Sequence, residues 1–304
     1  GHMPVCRVCH VTLKLFQRPS KLLCSYCGHS EPAPEQCGVC HGTVFRFTGM
    51  GTQGVEEEVT RIFPAAKVAR FDREHVKTNR EAHAILAAYR QGEIQILIGT
   101  EWLFHRLDPP RASLVGFPQA DLGLHIPDFR SAERTFHTLF QAVEMAGQGT
   151  NPGEVILQTR MRDHHVVQAI GTQDPERFYR PELSLRDLLG YPPFAHLVLL
   201  VVAGGQASKV HLAVEFLKHK LEKLFQADIK AQSTVGLGPN ASFLGPIHSQ
   251  KSGRRQKMRT LFLIKTGDLP AVRQRLRVLQ QEYQQRFPSL PVVVETHVDP
   301  MEIN

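Results

Sequence analysis

The chain has 304 residues, of which 42% are hydrophobic and 21% charged, an ordinary composition for a globular protein. This length suffices for two or three domains with a buried core. The sequence has neither an apolar run of membrane-spanning length nor the pattern of a signal peptide, which argues against membrane and secreted classes. We therefore expect a soluble, cytoplasmic protein.

The formal net charge of +7 is unevenly distributed along the chain. From Pro181 to the end there are 16 lysines and arginines against 10 aspartates and glutamates, an excess of +6. A basic region of this kind favours an anionic partner, with nucleic acid as the first candidate. A basic surface that serves only solubility is the alternative, and charge alone does not separate the two.

All cysteines of the sequence lie before residue 41 and form three C-x2-C pairs: Cys6, Cys9, Cys24, Cys27, Cys37 and Cys40. In a chain of this length without a signal peptide, such pairs predict metal binding rather than disulfides. Each pair can form a tight turn, a knuckle, whose thiolates bind one ion, and two knuckles complete a tetrahedral zinc site. Because four thiolates leave no position for a reactive water, we predict structural zinc.

Three knuckles fill one four-cysteine site and half of a second. We predict that the first two knuckles share a zinc across a short zinc ribbon, which leaves Cys37 and Cys40 without a partner knuckle. Either a nearby histidine helps, or a fourth knuckle lies upstream; the candidate histidines are His10, His29 and His41. The leading Gly-His-Met is typical of an expression tag, so we favour a missing upstream knuckle.

The segment from residue 43 to residue 190 predicts alternating strands and helices. Helices are expected in "VEEEVTRIF", with acidic residues in its first turn, in "NREAHAILAAYRQG", with Asn79 as N-cap, and in "DFRSAERTFHTLFQAVEMAG". The apolar stretches between them predict strands: "VFRFTG", "KVARFD", "IQILIGT", "ASLVGF" and "EVILQT". This alternation predicts a parallel sheet wrapped by helices, with ligand-binding loops at the carboxyl ends of the strands.

The segment after residue 190 predicts the order strand-helix-strand-strand-helix-strand, the split βαβ pattern of a small α+β domain. The strands are expected in "HLVLLVVAG", "AQSTVGLGP", "RTLFLIKT" and "LPVVVETHV". The first helix carries an apolar face, and the second starts at Asp268 as cap with Pro270 in its first turn. The apolar face comprises Val210, Leu212, Val214, Leu217, Leu221 and Leu224.

A basic, Gly-containing loop is expected between the two middle strands of this domain. Its cationic residues are Lys251, Arg254, Arg255, Lys257 and Arg259. Such a loop suits phosphate contacts that sense DNA shape rather than base sequence, so we predict DNA binding here. A merely solvated loop is the alternative.

The three knuckles, followed in order by "GMGTQGVEEEV", "ILIGTEWLF", "ADLGLHIPDFRSAERTF", "GEVILQT" and "YPPF", resemble the PriA family of primosomal replication-restart helicases. The resemblance covers essentially the whole chain and implies a RecA-like second helicase lobe after the zinc module. It also implies a first lobe upstream, since this chain has no phosphate-binding G-x4-G-K-[ST] loop. In that family a further upstream knuckle pairs with the one corresponding to Cys37 and Cys40.

The resemblance also marks substitutions in the helicase motifs. The family pattern Q-x-x-G-R-x-G-R, whose arginines reach the γ-phosphate, aligns here with Glu144 for Gly, Met145 for the first Arg and Gln148 for the second. The family loop Q-M-L-A-K-G has become Glu101–Arg106, with His105 in place of its lysine. Because an arginine at such a site is worth roughly 10³–10⁵ in rate, we predict a lobe that no longer supports ATP hydrolysis.

We therefore divide the chain into a zinc module at residues 1–42, a degenerate helicase-like lobe at 43–190 and a basic DNA-binding domain at 191–304. The predicted function is recognition of branched or forked DNA and recruitment of primosome and helicase-loading proteins at the nucleoid. The family further implies binding of the acidic tail of single-stranded-DNA-binding protein, for which Arg273 is the candidate residue. The alternatives are half of an active 3′–5′ DNA helicase, with Arg106, Arg130 or Arg134 replacing the lost arginines, and a zinc-stabilised protein scaffold.

Overall fold

The computed structural model describes residues 4, 13–17, 20–23, 29–43, 51–105, 112–126, 128–146, 153–231, 241–249 and 258–301. The chain divides into two compact units. The first unit comprises Gly1–Thr43, Ile126–Phe129 and Tyr179–Asn304, and the second comprises Val44–His125 and Arg130–Phe178. Within the described part of the chain, no helix is both long and apolar enough to cross a membrane.

The amino-terminal part of the first unit is a small antiparallel sheet. Its strands β1 (Lys14–Gln17), β2 (Ser20–Leu23) and β3 (Ser30–Pro32) pair in that order. Lys14 lies opposite Leu23, so the chain enters β1 beside the point where it leaves β2. The backbone N–H of Leu13 donates to the carbonyl of Pro4 at 2.9 Å. This contact joins the two ends of the stretch that contains Cys6 and Cys9.

The first half of the second unit is built from helix α1 (Thr52–Ile62), strand β4 (Val68–Phe71), helix α2 (Asn79–Arg90), strand β5 (Ile96–Gly99) and the short helix α3 (Trp102–His105). Strands β4 and β5 are parallel. The predicted strand "VFRFTG", residues 44–49, lies outside the described residues.

Two predicted details of these helices are wrong. Thr78, not Asn79, is the N-cap of α2: its side chain accepts from the backbone N–H of Glu81, whose own side chain accepts from the Thr78 N–H. This reciprocal capping box satisfies two backbone donors, whereas Asn79 is already helical. Helix α1 begins at Thr52, so the glutamates of "VEEEV" fall beyond its first turn.

The second half of this unit contains β6 (Leu114–Phe117), a 3-10 turn (Leu122–His125), α4 (Ser131–Ala146), β7 (Glu154–Leu157) and α5 (His165–Thr172). Strands β6 and β7 are also parallel. Among the described residues, the predicted parallel sheet is thus present as two separate parallel pairs. A core around Phe136, Leu139 and Phe178 holds α4 and α5 together.

Helix α6 (Glu176–Leu189) follows, and most of it belongs to the first unit. Its buried side carries an ion pair in which Arg186 Nε donates to Glu182 Oε1 at 2.8 Å. The guanidinium of Arg186 also lies 5.4 Å from the centre of the Phe129 ring. The ring of Phe129 stacks on that of Tyr191 at 4.9 Å.

The carboxyl-terminal domain comprises β8 (His196–Gly204), α7 (Ala207–Ala231), β9 (Ser242–Ser249), β10 (Met258–Thr266), α8 (Leu269–Arg286) and β11 (Val292–Val298). The sheet is antiparallel with the order β11-β8-β10-β9, which is the topology of the split βαβ fold. Asp268 caps α8 as predicted, since its side chain accepts from the N–H of Ala271 at 3.0 Å.

Two predictions for this domain are corrected. The strand before the basic loop is β9 at Ser242–Ser249, whereas it was expected at residues 231–239. Ala231 belongs to α7, and residues 232–240 lie outside the described part of the chain. Leu212, assigned to the apolar face of α7, is 50% exposed, while Val210, Val214, Leu217 and Leu221 are buried as expected.

Both faces of this sheet are buried. Alternate residues of β8 and β10 pack against α7 and α8 on one face, in a core that includes Val198, Leu217 and Phe262. The intervening residues, among them Leu199 and Leu263, form a second core on the opposite face, against which Phe129 and Tyr191 pack. The continuous apolar run of β8 reflects this two-sided burial. The chain as a whole is a mixed α/β protein.

Candidate metal knuckle and nucleic-acid surface

The third C-x2-C pair forms a compact turn. The backbone N–H of His41 donates to the carbonyl of Cys37, and the N–H of Cys37 donates to the carbonyl of Gly42, both at 2.9 Å. His41 has a left-handed conformation with φ of 55°. Cys37 and Cys40 are both free thiols. The turn therefore holds two unoxidised sulfurs next to each other on a tightly bonded backbone.

Backbone hydrogen bonds act on one of the two thiols of this turn. Hydrogen bonds from the backbone N–H groups of Cys40 and Val39 hold the pKa of the Cys37 thiol below its usual value. Since zinc binds the deprotonated sulfur, a thiol polarised in this way fits a metal ligand. These two sulfurs supply half of a tetrahedral set. The residues present are thus consistent with zinc but do not by themselves complete a site.

The remaining predicted zinc ligands, Cys6, Cys9, Cys24 and Cys27, lie outside the described residues. Among the residues that are described, no group of three or more histidine, cysteine, aspartate or glutamate side chains is placed to hold a metal ion. Of the candidate histidines, His29 faces Glu31, with Nε2 at 3.3 Å from the carboxylate. The zinc assignment therefore remains a prediction from cysteine spacing, supported by the geometry of the third knuckle.

The end of helix α4 carries the substituted helicase positions. Met145 is only 7% exposed, and Ala142 and Ala146 of the same helix are also buried. Glu144 is exposed, whereas Gln148 lies outside the described residues. Position 145 therefore faces the interior, where methionine is a suitable flexible apolar filler.

The loop after β5, which includes position 105, is shaped by packing. The indole of Trp102 stacks on the ring of Phe71, with centroids 4.9 Å apart. A Cβ at Gly99 would lie 2.9 Å from the Phe71 carbonyl, so the chain passes very close to β4 here. The backbone of His105 ends α3, and Arg106 lies outside the described residues. The indole of Trp102 thus packs within its own unit.

The predicted DNA-binding loop joins β9 to β10. Its residues Lys251, Arg254, Arg255 and Lys257 lie outside the described part of the chain. Arg259 is on β10, opposite Ser249 of β9 and Ala203 of β8, and it is partly exposed. The loop therefore spans the end of an antiparallel hairpin whose two strands are fixed to the sheet.

The predicted partner-binding residue, Arg273, lies on α8 and is exposed. Its neighbour Arg275 is held differently: its guanidinium donates to the Leu224 carbonyl at 3.4 Å and lies 5.9 Å from the Phe225 ring centre. In the described part of the chain, no ion pair is found for Arg273. Its side chain is thus available for an anionic group.

One buried carboxylate was missed by the sequence analysis. Asp72, directly after β4, is 4% exposed and accepts from the Thr52 hydroxyl at 2.6 Å and from Arg70 Nε at 3.0 Å. Its other oxygen accepts from the backbone N–H groups of Glu74 and His75, each at 2.8 Å.

Burial by itself raises the pKa of the Asp72 carboxyl, but the hydrogen bonds from Thr52 and Arg70, together with those from the two backbone N–H groups, hold it well below its usual range. The ionised carboxylate thus ties the start of α1 to the carboxyl end of β4. The aspartate at the end of the predicted strand "KVARFD" gave little local signal of this network.

A known family model matches the carboxyl-terminal domain. Residues 187–301 match the family model described as the primosomal protein N C-terminal domain. Among solved structures, a de novo designed protein, Foldit4, matches 36% of this chain at 13% identity with a TM-score of 0.23, a likeness too weak to define a fold.

Curated relatives extend the similarity along the chain. The replication restart protein PriA of Bacillus subtilis is 39% identical over 80% of this chain, which covers 29% of the relative. The replication restart proteins PriA of Treponema pallidum and of a Synechocystis species are 33% and 32% identical to this chain over its full length. The chain covers 44% and 35% of these two relatives. The chain thus spans less than half the length of these relatives, and it belongs to the PriA family of replication restart proteins, of which it matches a carboxyl-terminal portion.

Proposed function

We propose that this chain recognises branched or forked DNA during replication restart, through the basic loop of its carboxyl-terminal domain. The observation that carries the proposal is the position of that loop: its cationic sequence joins two paired strands of a domain that matches the primosomal protein N C-terminal model. The excess of +6 after Pro181 supports the same partner. Lysines and arginines on a loop contact phosphates and carry little base information, so DNA shape decides the preference.

The direct test is the triple variant Arg254→Ala, Arg255→Ala, Lys257→Ala, measured by fluorescence anisotropy on labelled fork and duplex DNA. We expect weaker fork binding and a decrease in the slope of log K against log salt of about 0.9 per lost phosphate contact. Lys223→Ala, an exposed position on α7, is the control and should bind as the parent chain does. Unchanged affinity of the triple variant at low salt contradicts the proposal.

We further propose that the second unit is a degenerate RecA-like helicase lobe that does not support ATP hydrolysis. The absence of arginine at positions 145 and 148 in the sequence supports this view, as does the interior location of Met145. A buried thioether offers neither charge nor a donor to a γ-phosphate. The measurement is ATP turnover by the complete protein with forked DNA. Turnover at an ordinary rate would instead support the alternative of an active helicase, with Arg106, Arg130 or Arg134 acting in place of the lost arginines.

We propose that zinc supports the amino-terminal module structurally. The sheet formed by β1, β2 and β3 places the start of β1 beside the end of β2, directly before Cys24, and the Pro4–Leu13 contact closes the stretch that contains Cys6 and Cys9. This arrangement favours one zinc shared by the first two knuckles. Elemental analysis of the purified chain should find about one zinc per molecule. A count near two would mean that Cys37 and Cys40 also bind, with help from a histidine.

The same proposal includes protein partners. Arg273 is exposed on α8, and a guanidinium there suits the terminal carboxylate of an acidic peptide such as the tail of single-stranded-DNA-binding protein. Primosome and helicase-loading proteins at the nucleoid are the further expected partners. Titration with a Phe-ended acidic peptide tests this point: Arg273→Ala should weaken binding, whereas Arg277→Ala, on the same helix, is the comparison. Equal affinities of the two variants exclude a specific role for Arg273.

A further inference from the structure

A loop in the second unit carries two arginines that the functions above do not use. The 159–164 loop follows β7 and leads into α5. Asp121, shortly after β6, holds its first residues: one carboxylate oxygen accepts from the Thr159 hydroxyl at 3.2 Å and from the backbone N–H of Arg160 at 2.8 Å. The Thr159 hydroxyl in turn accepts from the N–H of Met161 at 2.9 Å.

The far end of the 159–164 loop is fixed as well. The side-chain amide of Gln168 donates to the carbonyl of Arg162 at 2.7 Å, and the N–H of His164 donates to the carbonyl of Met161 at 3.0 Å. His164 is the N-cap of α5, since its Nδ1 accepts from the N–H of Val166. All of these contacts involve backbone atoms or side chains other than the arginines. The backbone is thus ordered without any contribution from the two guanidinium groups.

Both guanidinium groups face solvent. Arg160 is exposed and has no ion pair with any residue that the structure describes. Arg162 has an 87% exposed side chain, and its one ion pair with a described residue is a 3.6 Å contact with the equally exposed Asp163. An exposed pair of this length contributes little to stability. Neither arginine therefore has a structural role that accounts for its presence.

The location of the loop is also favourable for binding. It lies at the carboxyl end of the parallel pair β6–β7. There the backbone N–H of Gln158 donates to the carbonyl of Phe117, and the N–H of Ala120 donates to the carbonyl of Gln158, so the two strand ends are held together. The carboxyl ends of parallel strands are where ligands collect in α/β sheets. The amino end of α5 adds a partial positive charge at the same place.

We propose that Arg160 and Arg162 contact the phosphodiester backbone of nucleic acid, as a site in the second unit additional to the basic loop of the carboxyl-terminal domain. This inference rests on the proposed DNA-binding function. Because the loop is already ordered, binding needs only the fixing of two side chains, which lowers its entropic cost. Met161, between the two arginines, is only partly exposed, so the loop itself offers charge rather than an apolar anchor, which favours an anionic partner.

The test uses the double variant Arg160→Ala, Arg162→Ala of the full chain, titrated with labelled single-stranded, duplex and forked DNA. The substitutions leave every backbone contact of the loop in place, so folding is expected to be unchanged. We expect about tenfold weaker binding to at least one of these DNAs. The slope of log K against log salt should fall by about 0.7 per lost contact on single strands or about 0.9 on duplex, and the DNA that responds identifies the strand form bound.

Two control variants sharpen the result. Arg177→Ala removes an arginine of the same unit whose side chain is 56% exposed, and it should bind as the parent chain does. Arg160→Lys, Arg162→Lys keeps the charges and should retain most of the salt slope, since lysine binds phosphate as a point charge. If the double alanine variant binds all three DNAs with parental affinity and slope, the inference is wrong.

Further outcomes separate this inference from the proposed function. If the parent chain binds no DNA, both fail together. If the triple variant of the basic loop is impaired while the double alanine variant is not, only the inference fails. Loss of binding to an acidic peptide without any change on DNA would overturn it in favour of a protein partner.

Discussion

The carboxyl-terminal domain and the second unit differ in how completely they bury their sheets. In the carboxyl-terminal domain, β8 and β10 are central strands, and apolar cores cover both faces of the sheet. Among the described residues of the second unit, β4–β5 and β6–β7 form separate pairs, and α1 has no buried residue. Leu114 of β6 and Ile156 of β7 are 55% and 52% exposed.

The two parts of the molecule therefore differ in how much buried apolar area stabilises them. Buried apolar area is the main favourable term in folding, so a sheet covered on both faces gains more than strands with exposed apolar residues such as Leu114 and Ile156. We therefore infer that the carboxyl-terminal domain is the more stable part and the second unit the more easily opened. Local stability of this kind follows from the density of buried apolar contacts.

The largest expected effect is at position 145 in the second unit. Met145→Arg places an unpaired guanidinium in the interior, which costs about 3–5 kcal/mol in the free energy of unfolding. Unfolding in denaturant, monitored by hydrogen exchange, should show the loss of stability in the second unit and not in β8 or β10. Glu144→Arg, on the exposed side of the same helix, is the matched control and should change stability by less than about 0.5 kcal/mol. Equal effects of the two variants would mean that the helix faces are wrongly assigned.

The second-largest loss of stability is expected in the carboxyl-terminal domain. Leu217→Ala removes a fully buried side chain of α7, for which about 2–5 kcal/mol is expected from lost burial and the cavity left behind. Leu212→Ala, on the same helix at 50% exposure, should cost far less. Thermal unfolding of both variants measures the difference. A similar loss in the two would contradict the assignment of Leu217 to the buried face of α7.

The smallest of the three effects concerns Asp72 in the second unit. Asp72→Asn replaces a charged acceptor of four hydrogen bonds and should cost about 1.5–3 kcal/mol, measured by denaturant unfolding at pH 7. The native pKa of this carboxyl is depressed, so its stabilisation is fully present above the unfolded-state pKa of about 3.9 and is lost as the pH falls through the lower native pKa. The difference between parent and variant should therefore shrink below about pH 4. A difference that stays constant down to pH 2 would contradict the hydrogen-bonded network.

Much of the carboxyl-terminal domain was predictable because its signals are local. The apolar run of β8 and the cap at Asp268 both mark their elements within the sequence itself. The strand β9 was missed because it contains Gly245 and Pro246, residues that normally interrupt strands. As an edge strand with a register shift opposite Leu261 and Leu263, it tolerates them. Only tertiary pairing reveals such a strand.

The candidate sites were predictable to a smaller extent. The cysteine spacing pointed to the Cys37 turn before its backbone geometry was known, since C-x2-C has a fixed local structure. The interior position of Met145 was also predictable, because the apolar residues Leu139, Ala142 and Met145 are spaced three residues apart on α4. The Asp72 network and the tether from Asp121 to the 159–164 loop were not, since each joins residues distant in sequence.

The burial of Met145 bears on the history of this lobe. If an ancestral arginine once pointed outward from this helix, the present packing has since closed around an apolar side chain. Restoring the arginine by a single mutation would unfold the site before it repaired the chemistry. A return to arginine at this position would therefore need further substitutions that open the interior around it.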